Sequence, residues 1–213
     1  MAEISSKSSL AVVLSKLKGF ETPKVREEQY TTEPEIAAEL LWGMHMRGEL
    51  DGKTIADLGS GTGFLGLGAL LMGAKKAILV EKDAEAAKTA KQNLEFLKSQ
   101  GFELGEAVFA QMDVEEFSKK GERADFVVEN PPFGTRQEHI DKVFLKAAFA
   151  TADTVLSFHK TSTEKFVIAF AKDNGFRAAE KLDFKFPLHA TQDYHTRKIH
   201  RIDVTLYRLV KEK

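Results

Sequence analysis

Four consecutive residues that follow a short apolar run could together hold an amino group. The run ends at Val128, and Asn130, Pro131, Pro132 and Phe133 come two residues later. Proline fixes φ, removes a backbone donor and keeps the preceding residue out of the α region, so this loop is stiff. The amide oxygen of Asn130 and the carbonyl of Pro131 can both accept from one NH₂ group. Phe133 offers an aromatic face for a planar ring, as in enzymes that lift a base from its stack.

This arrangement suits methylation of an amine that is conjugated to a ring or a carbonyl. Such a nitrogen is a poor nucleophile because its lone pair is delocalised. Acceptors on both hydrogens help the nitrogen to become tetrahedral and aim its lone pair at a methyl group. No strong base is needed, since the proton can leave after the positive charge develops. We therefore predict a catalytic role for residues 130–133; the structural alternative is a rigid turn with a core phenylalanine.

A glycine-rich loop, residues 57–66, provides a second motif. Glycine lets the backbone turn sharply and approach a ligand where a Cβ would collide. Gly61, Gly63 and Gly66 satisfy the dinucleotide fingerprint, and Glu81 follows about 20 residues later, where a ribose would be bound. An NAD-dependent enzyme is therefore one alternative.

Acidic residues at three predicted strand ends favour a different cofactor. Asp57, Glu81 and Asp113 lie at the ends of the first, second and third predicted strands. Each alone is commonly a helix cap or a turn residue. A pyrophosphate is repelled by a carboxylate as close as Asp57, whereas an amino group and a sulfonium are attracted. The three acids together therefore predict an adenosyl-amino-acid cofactor.

The hydrophobic pattern places these motifs in an α/β fold. Short apolar strands alternate with helices after Lys53, which indicates a doubly wound, mostly parallel, Rossmann-like sheet of seven strands with helices on both faces. Two final strands without an intervening helix predict an antiparallel C-terminal hairpin. Residues 1–32 are predicted to be a helical N-terminal extension that contributes to the cofactor site, and residues 33–213 one domain. The predicted strands are 54–58, 77–80, 107–112, 124–128, 154–157, 176–186 and 202–209, and the predicted helices are 10–17, 34–48, 64–72, 84–98, 139–151 and 162–173.

Composition and charge exclude several classes of protein. The 213 residues include no cysteine, which excludes disulfides and thiolate metal sites, and their formal net charge is −1. No apolar run approaches the roughly 20 residues that span a bilayer, and the first residues lack a signal-peptide core. The histidines and acids show no metal-ligand spacing, so we predict no metal. A cytoplasmic location and no membrane partner are expected.

One local stretch is basic enough to contact phosphates. Between Lys185 and Arg201 the chain has four Lys or Arg and three His, with a single acid. Ordinary solvated surface is the alternative interpretation. The basic residues are Lys185, His189, His195, Arg197, Lys198, His200 and Arg201.

The glycine loop and residues 130–133 resemble the cofactor and catalytic motifs of class I S-adenosylmethionine methyltransferases that act on amino nitrogens. The resemblance extends to the family of methyltransferase-like protein 5, whose N-terminal signature is similar to Glu28-Gln29-Tyr30-Thr31-Thr32. The cysteine-free, Lys- and Glu-rich chain resembles an archaeal member of that family. Further similar segments, in order between Gly19 and Arg208, are Pro34, 36–38, 130–135, 144–146, 157–162 and 194–208.

The resemblance implies a function and its site residues. The family methylates N6 of an adenosine in small-subunit ribosomal RNA, and its eukaryotic member works with a small zinc-containing activator protein. This chain has Ser60 and Thr62 where the eukaryotic members have cysteines, Glu81 where they have aspartate, and Thr31 where the family usually has proline. The first two changes preserve the chemistry, and the third reduces rigidity. His159 and Lys160 match the family's His-Lys pair and are predicted, with Arg197 and Lys198, to position the substrate. The predicted contacts of S-adenosylmethionine (product S-adenosylhomocysteine) are Gln29, Thr32, Asp57, Gly59, Gly61, Thr62, Gly63, Phe64, Glu81, Asp113 and Asn130.

Two further functions remain open on sequence grounds. A methyltransferase for the side-chain amide of glutamine, in a protein such as a release factor or a ribosomal protein, uses the same chemistry, commonly with Tyr where this chain has Phe133. The basic, His-rich stretch favours RNA instead. A non-catalytic, cofactor-binding scaffold in ribosome assembly is disfavoured by the intact Asn130–Phe133 motif.

Overall fold

The strands and helices alternate along the chain from Thr54 to Phe176, as the hydrophobic pattern predicts. The computed structural model describes residues 3–24, 28–133, 140–188 and 200–212. A 3₁₀ turn (Thr161–Thr163) follows the fifth strand. The helices are α1 (Lys7–Leu14), α2 (Pro34–Met46), α3 (Phe64–Leu71), α4 (Ala84–Ser99), α5 (Val114–Lys119), α6 (Ile140–Thr151) and α7 (Glu164–Asp173). The strands are β1 (Thr54–Leu58), β2 (Lys76–Val80), β3 (Glu106–Ala110), β4 (Phe126–Glu129), β5 (Thr154–Lys160), β6 (Phe176–Leu188) and β7 (His200–Lys211).

Within the described ranges, seven strands form one sheet in the order β3-β2-β1-β4-β5-β7-β6. The pairs from β3 through β5 are parallel, whereas β7 runs antiparallel to both β5 and β6. The predicted doubly wound sheet with an antiparallel C-terminal hairpin is confirmed. The second strand of the hairpin lies inside the sheet, however, and β6 takes the edge.

Apolar side chains cover both faces of the sheet, as expected for parallel strands that are buried on both sides. The first face carries α1 to α4, with Leu14, Leu41 and Leu67 fully buried. The second face carries α5 to α7, with Leu145 and Val167 at its centre. No helix in the described part of the chain combines the length and the apolar character needed to cross a membrane.

Several helices and strands differ from their predicted ranges, α1 for example being Lys7–Leu14 instead of 10–17, and two of the differences have a clear physical reason. Strand β3 ends at Ala110 instead of residue 112, and the short helix α5 follows it without having been predicted. Six residues give too little periodicity for a helix signal, although Val114 and Phe117 share a buried face. Strand β5 continues to Lys160 instead of ending at residue 157, because β7 pairs with its full length.

The strand order leaves a cleft at the carboxyl ends of β1 and β4. These two strands are neighbours, and the chain leads away from them in opposite directions across the sheet. Open α/β sheets bind ligands at such a switch point. The glycine loop follows β1 and residues 130–133 follow β4, so the fold brings the two predicted motifs to the same place.

Candidate active site

The glycine loop folds through backbone conformations that side chains rarely adopt. Gly59, Gly61 and Gly63 have φ angles of +67°, +53° and +88°. Glycine is the residue that occupies this left-handed region without strain. Gly63 also begins α3 as its N-cap. The alternation of these glycines therefore follows from the backbone, independently of any ligand.

Asp57 is buried at the end of β1 and is held by the loop that follows it. Its Oδ2 accepts a hydrogen bond of 2.7 Å from the backbone N–H of Gly66. Burial raises the pKa of the Asp57 carboxyl to about 7, with a smaller contribution from the nearby Glu81, although the Gly66 bond lowers it. A cationic ligand beside Asp57 would favour the carboxylate and offset this cost of burial.

Glu81 is anchored at the end of β2 by two backbone donors. Its Oε2 accepts from the N–H of Gly61 and its Oε1 from the N–H of Asp83, both at 2.8 Å. Burial raises the pKa of Glu81 despite these bonds. A carboxylate has about four lone-pair sites, so Glu81 retains acceptor capacity for a pair of hydroxyl groups.

A polar link ties the N-terminal segment to the same region. Gln29 donates from Nε2 to Oδ2 of Asp83 at 2.6 Å, and Lys24 forms an ion pair with that oxygen at 2.8 Å. Burial alone would raise the pKa of Asp83, but the hydrogen bonds from Lys24 and Gln29 hold it below its usual value. Asp83 also caps α4 through the N–H of Glu85. Asp83 was not among the residues predicted from the sequence, because its only local signal is its position before a helix.

Asn93 of α4 is a second residue that sequence reasoning missed. Its amide bonds both backbone groups of Lys18, at 2.8 and 2.9 Å, and donates to the carbonyl of Thr62 at 2.9 Å. This buried side chain therefore clamps the N-terminal extension onto the glycine loop. Phe20 lies close enough to the loop that a Cβ on Gly61 would meet its ring at 2.7 Å.

Asn130 presents a free acceptor in a fixed orientation. Its Nδ2 donates to Oγ1 of Thr32 at 2.9 Å. Its Oδ1 is buried and finds no hydrogen-bond donor among the residues that the structure describes. Because Thr32 binds the nitrogen of the amide, the Oδ1 of Asn130 points away from Thr32. Thr32, predicted as a cofactor contact, thus orients the predicted catalytic residue.

Tyr30 packs on two further residues of the loop 130–133, which follows β4. Its hydroxyl donates to the carbonyl oxygen of Pro131 at 2.9 Å. Its ring stacks on Phe133 with centroids 4.9 Å apart and an interplanar angle of 23°. Phe186 of β6 meets both rings edge-on, at 6.1 and 6.0 Å. Tyr30 belongs to the N-terminal signature, but no role was predicted for it.

The cleft brings most of the predicted cofactor residues together. Its main part is open to solvent, and an adjoining part reaches Asp57. Gly63 lines neither part. Asp113 is exposed at the rim, where its Oδ1 also caps α5 by accepting from the N–H of Glu115 at 2.9 Å. The predicted cofactor residues that line the cleft are Gln29, Thr32, Asp57, Gly59, Gly61, Thr62, Phe64, Glu81, Asp113 and Asn130.

The predicted substrate-positioning residues are not gathered in the same way. His159 is buried within β5 and lines neither part of the cleft, so its contact with substrate stays a prediction. Lys160 ends the same strand and is half-buried. Arg197 and Lys198 lie outside the described residues, as do His189 and His195. Lys185, which also belongs to the basic stretch, forms an ion pair with Asp203.

Buried polar side chains link β4, which leads into the loop 130–133, to β5. The hydroxyl of Ser157 donates to Oε1 of Glu129 at 2.7 Å and lies 2.8 Å from Nε2 of His159. Burial raises the pKa of Glu129 to about 8, with a smaller increase from Asp57, although the Ser157 bond lowers it. Burial lowers the pKa of His159 to about 3, so its ring is neutral. These groups connect the end of β4 to Ser157 in the middle of β5 and to His159 near its end.

Metal ligation is not indicated by the part of the chain that the structure describes. No group of three or more His, Asp and Glu side chains there could hold an ion.

The strand order and the position of the cleft are those of the class I methyltransferase fold. The strand order, with an antiparallel β7 between β5 and β6, and a ligand cleft after β1 and β4 are its framework. The magnesium protoporphyrin IX methyltransferase of Synechocystis, solved with bound S-adenosylmethionine, shares this fold at 14% identity, with a TM-score of 0.64 over 99% of this chain and all of that one.

Comparison with more similar proteins identifies the family. The "Conserved hypothetical protein 95" family matches residues 34–172. The rRNA N(6)-adenosine-methyltransferase METTL5 of Danio rerio is 34% identical, over 92% of this chain and 94% of that protein. The Drosophila melanogaster enzyme of the same name is 33% identical over 89% of each chain. The crystal structure of a Pyrococcus horikoshii protein, described as a candidate RNA methyltransferase, is 41% identical with a TM-score of 0.87, covering 99% and 100% of the two chains. The chain belongs to the methyltransferase-like protein 5 family, and it is a methyltransferase.

Proposed function

We propose that this enzyme transfers a methyl group from S-adenosylmethionine to N6 of an adenosine in RNA, within the small-subunit ribosomal RNA. The observation that carries the proposal is the Asn130 amide. Its oxygen is buried without a donor among the described residues, while its nitrogen is held at 2.9 Å by Thr32. A buried acceptor without a partner is costly, and a ligand N–H removes that cost.

The cleft residues fit an adenosyl-amino-acid cofactor. Glu81 retains lone pairs for the two ribose hydroxyls, and Asp113 at the rim can accept from an exocyclic amine. Asp57, whose pKa is raised to about 7 by burial, would be kept ionised by a neighbouring ammonium or sulfonium. When bound, this cofactor supplies an electrophilic methyl group.

The residues after β4 prepare the acceptor nitrogen. Asn130 Oδ1 and the Pro131 carbonyl each accept one hydrogen of the amine, which localises its lone pair. No described carboxylate or imidazole donates to or accepts from the Asn130 side chain, and the neutral His159 lies outside the cleft. This fits proton loss to solvent after transfer. The stiff Pro131-Pro132 pair fixes the positions of Asn130 Oδ1 and the Pro131 carbonyl relative to each other. Phe133 provides the surface on which the purine would stack.

The substrate class is supported by the relatives. Both METTL5 enzymes are named for adenosine N6 in ribosomal RNA, and the P. horikoshii protein is described as a candidate RNA enzyme. A zinc-containing activator and the basic stretch at 185–201 are proposed as additional sources of RNA affinity. With a net charge of −1, the enzyme needs such a local source.

Labelled cofactor separates RNA from protein substrates. The enzyme is incubated with methyl-labelled S-adenosylmethionine and a ribosome-containing extract of cells lacking the gene, and label is counted separately in RNA and in protein. We expect label in RNA, and we expect Asn130→Ala to incorporate at least two orders of magnitude less, the scale for removing a preorganised transition-state interaction. Label in the protein fraction alone would support glutamine as the acceptor instead.

A further inference from the structure

Tyr30 makes the two contacts that the acceptor base would need. Its ring lies stacked on Phe133 at 4.9 Å, and its hydroxyl donates to the Pro131 carbonyl at 2.9 Å. An adenine bound for methylation would place its ring on Phe133 and one N6 hydrogen on Pro131. Tyr30 therefore combines a planar ring with a hydrogen-bond donor in the positions proposed for the base.

The two rings are too close to admit a third between them. Stacked rings are separated by about 3.5 Å, so a base sandwiched by Tyr30 and Phe133 would need a gap of roughly 7 Å. The observed centroid distance of 4.9 Å is well below this. An adenine can stack on this face of Phe133 only after Tyr30 has moved away.

Neighbouring contacts would survive that movement. Phe186 supports Phe133 from the edge at 6.0 Å and an angle of 90°, independently of Tyr30. On either side of Tyr30, Gln29 is bonded to Asp83 and Thr32 to Asn130. The catalytic loop and the cofactor side of the segment therefore have anchors of their own.

We propose that Tyr30 occupies the acceptor-base position in the RNA-free enzyme and competes with the substrate base for it. The proposal rests on the proposed function, because it takes a planar base with an exocyclic amine as the competitor. Tyr30 satisfies the Pro131 carbonyl and leaves Asn130 Oδ1 without a donor among the described residues. An adenine N6 group has two hydrogens and could bond both the Pro131 carbonyl and Asn130 Oδ1, whereas Tyr30 bonds only the carbonyl.

If Tyr30 competes with the base, a variant that loses a contact of Tyr30 in the free enzyme should bind RNA more tightly than wild type. The apparent Kd equals the intrinsic Kd divided by the fraction of enzyme with an open site. Tyr30→Phe keeps the ring but removes the hydrogen bond to Pro131. The Kd for RNA should then fall about two- to tenfold, the range that one net hydrogen bond contributes. Tyr30→Ala also removes the stacking and should lower the Kd further.

The test measures the Kd at saturating S-adenosylhomocysteine, so that no chemistry intervenes. The probe is deproteinised small-subunit ribosomal RNA from cells lacking the gene. Tyr207→Phe is the matched control, because it removes a tyrosine hydroxyl from the core, outside the cleft, and should leave the Kd unchanged. Circular-dichroism melts verify that each variant is folded.

The outcomes separate this proposal from the one on which it rests. If wild type methylates RNA and folded Tyr30→Phe binds it as tightly as wild type or more weakly, competition by Tyr30 is wrong while the proposed function stands. If wild type transfers no methyl group to RNA, both proposals fall. Tighter binding by Tyr30→Phe and not by Tyr207→Phe supports the competition.

Discussion

Replacing Thr32 with valine should impair catalysis by releasing the Asn130 amide. Valine has the shape of threonine but cannot accept the 2.9 Å hydrogen bond from Asn130 Nδ2. Thr32 is buried, so no bulk water replaces the missing acceptor. The amide can then rotate and exchange its nitrogen and oxygen, which would turn a donor toward the substrate amine.

The magnitude follows from the cost of the unsatisfied group. Leaving a buried donor without a partner costs about 1–3 kcal/mol, and every 1.4 kcal/mol corresponds to a factor of ten. If that free energy holds the productive orientation of Asn130, kcat should fall roughly 5- to 150-fold in Thr32→Val. Thr32→Ser keeps the hydroxyl and should remain close to wild type.

Methyl transfer at saturating RNA and S-adenosylmethionine measures this effect directly. A defect confined to cofactor binding would raise the KM for S-adenosylmethionine and leave kcat unchanged. That result in Thr32→Val would refute the orienting role and leave Thr32 as a cofactor contact only.

Three further predictions concern other parts of the molecule. Gly61→Val should abolish S-adenosylmethionine binding in calorimetry, because φ is +53° there and a Cβ would meet Phe20 at 2.7 Å; unchanged affinity would remove the site from the glycine loop. Between about pH 4.5 and about pH 8, the free energy of unfolding of Glu129→Gln relative to that of wild type should rise with pH, by up to about 1.4 kcal/mol per pH unit. The reason is that the folded wild type keeps a proton on Glu129 that the unfolded chain releases. A melting-temperature difference independent of pH would contradict this. Arg197→Ala with Lys198→Ala should weaken RNA binding and flatten its salt dependence, by about 0.7 in slope for each single-strand phosphate that is no longer neutralised; parallel lines with equal intercepts would place RNA binding elsewhere.

The sequence predicted those features of the site that depend on local chain geometry. The glycine loop and residues 130–133 are short segments next to apolar strands, and strand–helix alternation alone brings them to one edge of the sheet. The acids at 57 and 81 could be placed for the same reason, since Asp57 lies next to the last residue of β1 and Glu81 directly follows β2.

Interactions between distant segments could not be predicted from these patterns. Tyr30 meets Phe133, and Asn93 meets Lys18, across long stretches of chain. Such pairs depend on how the N-terminal residues pack against the rest of the fold. Neither hydrophobic periodicity nor a local motif specifies that packing. The position of β7 inside the sheet likewise depends on pairing with β5, and a hairpin pattern does not indicate which of its strands takes the edge.

The measurement that tests the central claim most directly is mass spectrometry of nucleosides from small-subunit ribosomal RNA. RNA is compared from wild-type cells, cells lacking the gene, and the latter supplied with either the wild-type or the Asn130→Ala enzyme. We predict that one N6-methyladenosine disappears with the gene, returns with the wild-type enzyme and does not return with Asn130→Ala. An unchanged N6-methyladenosine content in cells lacking the gene would contradict the account.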